Sequence, residues 1–276
     1  SYYDSGGSLN SMTEEAYWHD VCYSTDSVWL HGSGIYEEMD AWVNPGVPTD
    51  VNHEFRLPRN PVAATGTNTE VSLTAEIAFL VNSVPIFGMS DGNSYSSSSG
   101  SMTAMGDDLW HGNAFYTEGF TLNDMGAHPA VGNIMHSHAL ATPLWSGTPT
   151  SEHSPIVGYA FDGFPIYGPY GYMSATDSTS SVVRMRTSYQ TRTMSDRSTF
   201  ADGTSSVPAG PSDFVTYPIG YFVEDYEYVN GLGDLDEFNG RFCVTPEYPN
   251  GTYAYFVTMD NMGGAEFPFY IGFEYY

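Results

Sequence analysis

Glycine and proline interrupt this sequence so often that they leave no room for a long helix. Of its 276 residues, 29 are glycine and 17 are proline. Both residue types are unfavourable inside helices and mark turns. Where the apolar residues show a clear period, that period is two residues, as in a strand with one buried face. The sequence therefore predicts a mainly β fold with long loops and little helix, either β-sandwich-like or an irregular antiparallel β domain.

The clearest strand signal runs from Val71 to Val81, where every second residue is apolar. One short helix is predicted from Met12 to Cys22, with Thr13 as its N-cap. The glycine- and serine-rich stretch from Ser90 to Met105 has no apolar period and is predicted to be a loop. Further strands are predicted at Ile156 to Phe161, Val182 to Thr187, Phe214 to Phe222, Thr252 to Thr258 and Pro268 to Phe273.

No internal repeat and no clean linker divides the chain. We place a boundary near residue 66. Residues 1–66 are expected to form an N-terminal extension or small subregion, a candidate assembly arm. Residues 67–276 are expected to form one β-rich domain.

The charge balance excludes several classes of partner. The chain has 33 acidic residues and seven basic ones, a formal net charge of −26, and all seven basic residues are arginine. Such a chain is repelled by nucleic-acid phosphates and by anionic membrane surfaces. No apolar stretch approaches the roughly 18 residues that span a bilayer. We therefore expect no nucleic-acid partner and no membrane insertion.

Several features favour an extracellular or cell-surface protein. The sequence begins at Ser1, which we interpret as the start of a mature form after signal-peptide removal. Asn250, in Asn-Gly-Thr, is a candidate glycosylation site. The two cysteines, Cys22 and Cys243, allow either one disulfide or two free thiols, and the sequence leaves both alternatives open.

Charges and tyrosines suggest surfaces for contacts between copies of the chain. The arginines Arg184, Arg186, Arg192 and Arg197 are close in sequence, and an acidic segment runs from Glu224 to Glu237. Such segments pair within one molecule, remain in water, or join two subunits. The ends carry tyrosine pairs that are candidates for docking onto a neighbouring copy: Tyr2, Tyr3, Tyr275 and Tyr276.

Histidines give the most specific chemical signal. His136 and His138 are two residues apart, so in a strand both side chains point to one face and can bind one ion. Imidazole suits copper and zinc. The further candidate ligands are His128, His111 and Asp162. The alternative is a purely structural role, as a hydrogen-bonded histidine pair in a polar pocket.

Carboxylates give a second, weaker signal. Asp234, Asp236 and Glu237 place several oxygens within a few residues, which suits a hard cation such as calcium. Their spacing does not match an EF-hand loop, and a solvated acidic loop is the alternative. Nucleophilic catalysis gains little support, and a phosphate-binding glycine loop is excluded because the chain has no lysine. No organic cofactor is expected.

Three segments resemble the YHYH-domain family, a group of mainly secreted or surface proteins. Gly158 to Pro169 reads Gly-Tyr-Ala-Phe-Asp-Gly-Phe-Pro-Ile-Tyr-Gly-Pro and resembles the central family signature. Val81 to Gly88 and Asp234 to Arg241 resemble two further family elements. The resemblance covers about residues 55–273, and it implies a fold and an extracellular location more than a defined activity.

The YHYH-domain family is named after a Tyr-His-Tyr-His motif. This chain departs from that motif at both places where it would fall. The segment Ile134-Met135-His136-Ser137-His138 keeps both histidines and lacks both tyrosines. The second copy, at Gly251 to Phe256, keeps the tyrosines and lacks the histidines. If the motif binds metal through two histidine pairs, the resemblance implies that one pair remains here. Phe238 stands where many members have a cysteine, which puts the usual disulfide pattern in doubt.

Two functions of different classes follow. The first expectation is an extracellular structural protein, a self-assembling filament or surface-layer subunit with bound structural ions, whose partners are copies of itself. The alternative is a secreted copper- or zinc-binding protein that uses the His-x-His site. An extracellular hydrolase ranks third, and an enzymatic role is the less favoured expectation.

Overall fold

A computed structural model describes residues 16–37, 39, 41–42, 46–104, 106–130, 132–206 and 208–276, and the backbone of residues 2–3 and 9–10. These residues form twenty strands, one α-helix and three 3-10 helices. The mainly β fold with little helix is therefore confirmed. The strands form several antiparallel and mixed sheets.

In chain order the strands are β1 (Tyr2–Tyr3), β2 (Leu9–Asn10), β3 (Trp18–Tyr23), β4 (Ser27–Gly32), β5 (His53–Pro58), β6 (Glu76–Leu80), β7 (Pro85–Phe87), β8 (Ser90–Ser96), β9 (Ser101–Thr103), β10 (His111–Asn113), β11 (Ala127–Pro129), β12 (Met135–Ser137), β13 (Ile156–Ala160), β14 (Pro165–Tyr167), β15 (Tyr170–Tyr172), β16 (Val182–Arg184), β17 (Tyr189–Thr191), β18 (Tyr226–Tyr228), β19 (Gly240–Cys243) and β20 (Thr252–Phe256). The helix α1 spans Ala114–Glu118, and the 3-10 helices span Gly119–Thr121, Thr142–Leu144 and Val223–Asp225.

An eight-stranded mixed sheet holds the centre of the fold. Its strands lie in the order β11-β12-β7-β6-β13-β14-β20-β19. The pairs β12–β7 and β14–β20 are parallel, and the other neighbours are antiparallel. The main hydrophobic core includes the fully buried side chains of Leu80, Ile86 and Ile166. The hairpin of β11 and β12 lies at one edge of this sheet.

A smaller sheet of β3, β4 and β5 packs against the central one. Trp18 of β3 makes edge-on contacts with Phe55 of β5 and Phe79 of β6. The predicted helix from Met12 to Cys22 is wrong in its described part, because Trp18–Tyr23 is a strand; residues 11–15 lie outside the described residues. Pairing with β4 along the whole of β3 supplies backbone partners that outweigh a local cap signal. The boundary near residue 66 stays a prediction.

Some predicted strands are shorter than expected or absent. The hydroxyl of Ser72 accepts the backbone N–H groups of residues 74 and 75, and this local turn delays the start of β6 to Glu76. The carboxylate of Asp213 accepts two N–H groups in the same way, and residues 214–222 form turns instead of a strand. Residues 268–273 also lack a strand.

The opposite error occurs between Ser90 and Met105, where the predicted loop contains β8 and β9. The strand β8 pairs with both β9 and β10. Its buried face consists of small polar side chains, with Ser94 and Ser96 only 4% and 8% exposed. A strand buried through serines has no hydrophobic alternation, so its period is invisible in the sequence.

In the described part of the chain, no helix has both the length and the hydropathy needed to cross a membrane.

Candidate metal centre

Two histidines face each other across the hairpin of β11 and β12. In the antiparallel register His128 lies directly opposite His136, and directly opposed side chains share one face of a sheet. His138 follows His136 by two residues, which returns its side chain to the same face. The rings of His136 and His138 lie with centroids 4.7 Å apart, as the period-two argument predicts.

Two glycines allow the backbone around His138 to pack closely. Gly126 accepts the backbone N–H of His138 at 2.9 Å. Gly126 has a φ of +62°, and a Cβ there would lie 1.7 Å from the carbonyl oxygen of Ala139. A Cβ at Gly88 would lie 2.1 Å from the carbonyl oxygen of Ser72. No residue with a side chain fits either position without moving the backbone.

Backbone carbonyls fix the tautomers of His136 and His138. The Nδ1 atom of His138 lies 3.0 Å from the carbonyl oxygen of Gly88. The Nδ1 atom of His136 lies 3.2 Å from that of Ile134. A carbonyl oxygen only accepts, so both rings carry a proton on Nδ1. In its neutral form, each ring therefore offers its Nε2 lone pair to an ion.

A threonine orients the third ring. The hydroxyl of Thr121 donates to the carbonyl oxygen of Glu118 at 2.6 Å. Its oxygen therefore accepts from Nδ1 of His128, which lies 2.6 Å away. Nε2 is then the atom that His128 offers to a metal, as in the other two rings.

The three histidines place their ligand atoms together in a buried position. Within the described ranges, His128, His136 and His138 are the one group of three or more His, Cys, Asp or Glu side chains whose ligand atoms lie within 4.8 Å of one another. The three residues are 2%, 4% and 3% exposed. The Nε2 atoms of His136 and His138 are 3.0 Å apart.

A carboxylate adjoins the three rings. An Oε1 atom of Glu118 lies 3.3 Å from Nε2 of His138 and 3.6 Å from Nε2 of His128. Sequence reasoning missed Glu118, because it ends a helix that has no clear signal and lies ten residues before His128. Its helix is capped by Asn113, whose side chain accepts the backbone N–H of Tyr116.

Burial keeps two of the rings neutral at ordinary pH. Burial, with a smaller effect from His138, lowers the pKa of His128 to about 3. Burial also holds the pKa of His136 well below its usual value, and the neighbouring histidines act in the same direction. Metal ions bind the neutral imidazole, so at pH 7 these two rings are already in the form that coordinates a metal.

The histidines open onto a cavity of about 320 Å³. Its walls also include Phe87, Asp91 and Glu118. The ring of Phe87 packs on the ring of His136 with centroids 4.2 Å apart. The cluster is therefore buried by side chains yet adjoins a space that a small molecule can enter.

The family model described as YHYH protein matches residues 54–266. The chain belongs to the YHYH family. No curated protein and no solved structure matches it. The match includes the hairpin, Glu118 and the cavity, so the candidate metal centre lies inside the YHYH domain.

His111 is not part of the metal centre. Its Nδ1 lies 2.6 Å from a carboxylate oxygen of Glu224, and its Nε2 lies 2.9 Å from one of Asp108. Burial opposes the charge, but these two carboxylates outweigh burial and raise the pKa of His111 to about 9. A protonated imidazole has no lone pair for a metal.

Asp162 lies elsewhere in the YHYH domain. It accepts a hydrogen bond of 2.5 Å from the hydroxyl of Tyr255. Burial raises its pKa to about 6. Its carboxylate thus takes part in a buried tyrosine network and not in the histidine cluster.

The candidate calcium ligands do not converge. Asp234 pairs with Arg186 at 2.9 Å, and Asp236 accepts the hydroxyl proton of Tyr253 at 2.7 Å. Within the described residues, Asp234, Asp236 and Glu237 form no cluster of ligand atoms. The carboxylates of Asp234 and Asp236 therefore interact with side chains of their own chain.

The four clustered arginines also find partners within the chain, and a subunit contact through them stays a prediction. Arg184 pairs with Glu266 at 3.5 Å, and Arg186 pairs with Asp234. Arg192 donates to the carbonyl oxygen of Thr199 at 2.8 Å. Arg197 and Asp225 form an ion pair of 2.7 Å in which neither side chain is exposed.

The C-terminal tyrosines dock onto their own domain. The hydroxyl of Tyr275 donates to the carbonyl oxygen of Ile77 at 2.8 Å. The ring of Tyr276 stacks on that of Tyr253 with centroids 3.6 Å apart. Docking of these tyrosines onto a neighbouring copy stays a prediction. The side chains of Tyr2 and Tyr3 lie outside the described residues.

The two cysteines are not bridged in this structure. Cys22 and Cys243 are free thiols, the first exposed on β3 and the second buried. Asn250 lies on an exposed turn, and its glycosylation stays a prediction.

Proposed function

We propose that this protein binds one transition metal ion, copper or zinc, through Nε2 of His128, His136 and His138. The carboxylate of Glu118 lies beside this ion, close to the rings of His128 and His138. The observation that carries the proposal is the shared orientation of three buried imidazoles. Each donates from Nδ1 to an oxygen, so each presents Nε2, and these ligand atoms lie close together.

This arrangement has the outer shell typical of metal sites. A ligating histidine usually donates its other ring N–H to a carbonyl or another oxygen, which fixes the tautomer and the ring orientation. Here Thr121, Ile134 and Gly88 supply those oxygens. A hydrogen-bonded histidine pair in a polar pocket, the purely structural alternative, needs a donor and an acceptor between the rings. In their neutral forms, His136 and His138 provide two acceptors.

The donor set favours particular metals. Imidazole suits zinc, copper, nickel and iron, and affinity for divalent ions of this series is greatest for copper. Calcium prefers six or more oxygen ligands, which three nitrogens and one carboxylate do not supply. The extracellular location that we propose with this function rests on the acidic, lysine-free composition.

The filament or surface-layer function has less support. The arginines and C-terminal tyrosines that favoured assembly are engaged within the chain. Self-assembly stays a prediction that no observation tests.

Metal analysis of the full chain tests the proposed function. The protein is stripped with a chelator, loaded separately with Zn²⁺ and Cu²⁺, desalted, and measured by mass spectrometry. We expect one ion per chain for the wild type and loss of stoichiometric binding in His128→Ala, His136→Ala and His138→Ala. The matched control is His153→Ala, because His153 is also buried, at 8% exposed, but lies outside the cluster.

Two results would count against the proposal: a wild-type chain that retains no metal, or cluster variants that retain as much as His153→Ala. Circular dichroism of each metal-free variant shows whether it has folded. If a cluster variant is unfolded, nitrogen hyperfine coupling in the electron paramagnetic resonance spectrum of the Cu²⁺-loaded wild type decides the case. Absence of histidine nitrogens from that spectrum overturns the proposal.

A further inference from the structure

The cavity beside the histidines is lined by a second carboxylate, that of Asp91, which is not one of the proposed metal ligands. Asp91 lies on β8 and lines the same space of about 320 Å³ as Glu118 and the three rings. A water molecule occupies about 30 Å³ of liquid, so the space accommodates several waters or a small organic molecule.

The backbone opposite Asp91 is shaped around its carboxylate. The strands β8 and β10 pair with a register shift between His111 and Asn113. At the shifted position stands Gly112, where a Cβ would lie 2.7 Å and 2.9 Å from the two carboxylate oxygens of Asp91. A glycine at this irregularity therefore provides the room that the carboxylate occupies. One oxygen also accepts the backbone N–H of Asn93 at 2.8 Å, which holds the group in place.

The described side chains that line the cavity carry negative charge without a compensating arginine or lysine. Among the described residues that line it, the charged carboxylates are Asp91 and Glu118, and no arginine is present. The chain has no lysine at all and a formal net charge of −26. An anion that approaches the ion through this cavity meets repulsion from both carboxylates in a space partly shielded from water.

We infer that the metal ion keeps a coordination position open to this cavity, and that the position takes small uncharged ligands in preference to anions. The inference rests on the proposed function, since it concerns the same ion. Structural metal sites are closed by protein ligands, whereas sites that handle a ligand keep an open position. Here the ligand-bearing rings themselves form part of the cavity wall.

Probe binding to the Cu²⁺-loaded full chain tests the inference. The probes are imidazole at pH 8, which is uncharged there, and azide, which is an anion. Electron paramagnetic resonance and visible absorption follow each titration, and metal analysis after desalting shows that copper remains bound. We expect imidazole to change both spectra, and azide to need a concentration at least about tenfold higher because of the two carboxylates.

The variant Asp91→Asn removes one charge and keeps the oxygen that accepts from Asn93. We expect it to lower the azide concentration at half-saturation by about 5- to 10-fold, the effect of one nearby charge in a partly buried site, and to leave imidazole binding unchanged. The control Asp202→Asn removes an exposed charge outside this cavity and should change neither titration.

The outcomes separate the two proposals. If the chain holds no copper before any probe is added, the proposed function is wrong and this inference with it. If copper is held and neither probe alters the spectra, the site is closed and this inference alone is overturned. It is also overturned if azide binds as well as imidazole and Asp91→Asn has no effect.

Discussion

The Nε2 atoms of His136 and His138 lie 3.0 Å apart although each ring carries its proton on Nδ1. Two lone pairs at this distance repel each other, and turning over the ring of His138 would leave the carbonyl oxygen of Gly88 without the donor it now has. A cation between the two atoms replaces the repulsion with two coordinate bonds. The hydrogen bonds that orient the two neutral rings therefore hold both Nε2 atoms in positions where one ion could bind them together.

Glu118 is expected to contribute to affinity because its carboxylate lies within 3.6 Å of two ligand nitrogens. Replacement Glu118→Gln should weaken Zn²⁺ binding by about 10- to 100-fold. Competition with a chromophoric chelator measures the change. Glu152→Gln, which alters an exposed glutamate outside the cavity, should bind as the wild type does. Equal affinities in both variants would remove Glu118 from the site.

Thr121 is expected to affect metal binding through its hydroxyl, which orients the ring of His128 and donates to the carbonyl oxygen of Glu118. Thr121→Val removes the oxygen that accepts from Nδ1 while it keeps the side-chain shape, and should weaken metal binding by about 10- to 100-fold. Thr121→Ser keeps the hydroxyl and should restore affinity. The same chelator competition distinguishes them. A serine variant as weak as the valine variant would show that packing, rather than the hydrogen bond, is what matters.

Gly126 is expected to be essential for the stability of the hairpin. Gly126→Ala adds a Cβ 1.7 Å from the carbonyl oxygen of Ala139, in addition to the strain of a positive φ. We expect the free energy of unfolding of the metal-free protein to fall by about 3 kcal/mol or more. Gly132→Ala also has a positive φ but meets open space, and should cost only about 1–2 kcal/mol. Urea denaturation of both variants gives the comparison, and similar losses would contradict the steric argument.

Replacing only one partner of the Arg197–Asp225 ion pair is expected to lower the free energy of unfolding strongly. Arg197 also donates to the carbonyl oxygens of Pro211 and Tyr217. These two hydrogen bonds hold the segment from Pro211 to Tyr217 in place. Arg197→Met leaves a buried carboxylate without a partner and should lower the free energy of unfolding by about 3–5 kcal/mol. The double variant with Asp225→Asn should lose less than the sum of the two single variants. Additive losses in urea denaturation would mean that the pair is not coupled.

His111 is expected to make stability depend on pH on the alkaline side. Its pKa is raised from about 6.5 in the unfolded chain to about 9 in the folded one, so the folded state holds the proton more tightly. The stabilisation is fully present below pH 6.5 and is lost as the pH rises through 9. Urea denaturation of the metal-free protein between pH 6 and 9.5 should show this loss. His111→Gln should show a smaller decline over the same interval, and parallel curves would exclude His111 as the cause.

The local parts of the fold could be predicted from the sequence. The strands β13 and β20 were predicted at nearly their observed positions, because their residues alternate or run apolar between turn signals. The shared face of His136 and His138 follows from strand geometry alone. The period of β8 could not be predicted, because its buried residues are serines.

The complete site could not be predicted, because it joins separate elements. Glu118 reaches the histidines only through the placement of α1, and no local pattern encodes that placement. His111 was a reasonable candidate from residue type, but the carboxylates of Glu224 and Asp108 hold it protonated. The partners of the four arginines could not be predicted either, because most of them are distant in sequence.

The short separation between the ligands also bears on the order in which the chain folds. His128 and His136 are eight residues apart and meet in a hairpin, a unit that forms in about 1–10 μs. The central sheet must bring Leu80 to Gly158 and Ile166 to Tyr255, and such long-range pairings form slowly. An ion present during synthesis would therefore be captured by the hairpin before the sheet closes over it. Metal loading would then precede the slow long-range pairings, and the supply of metal would affect the stability of the finished domain more than the rate at which it folds.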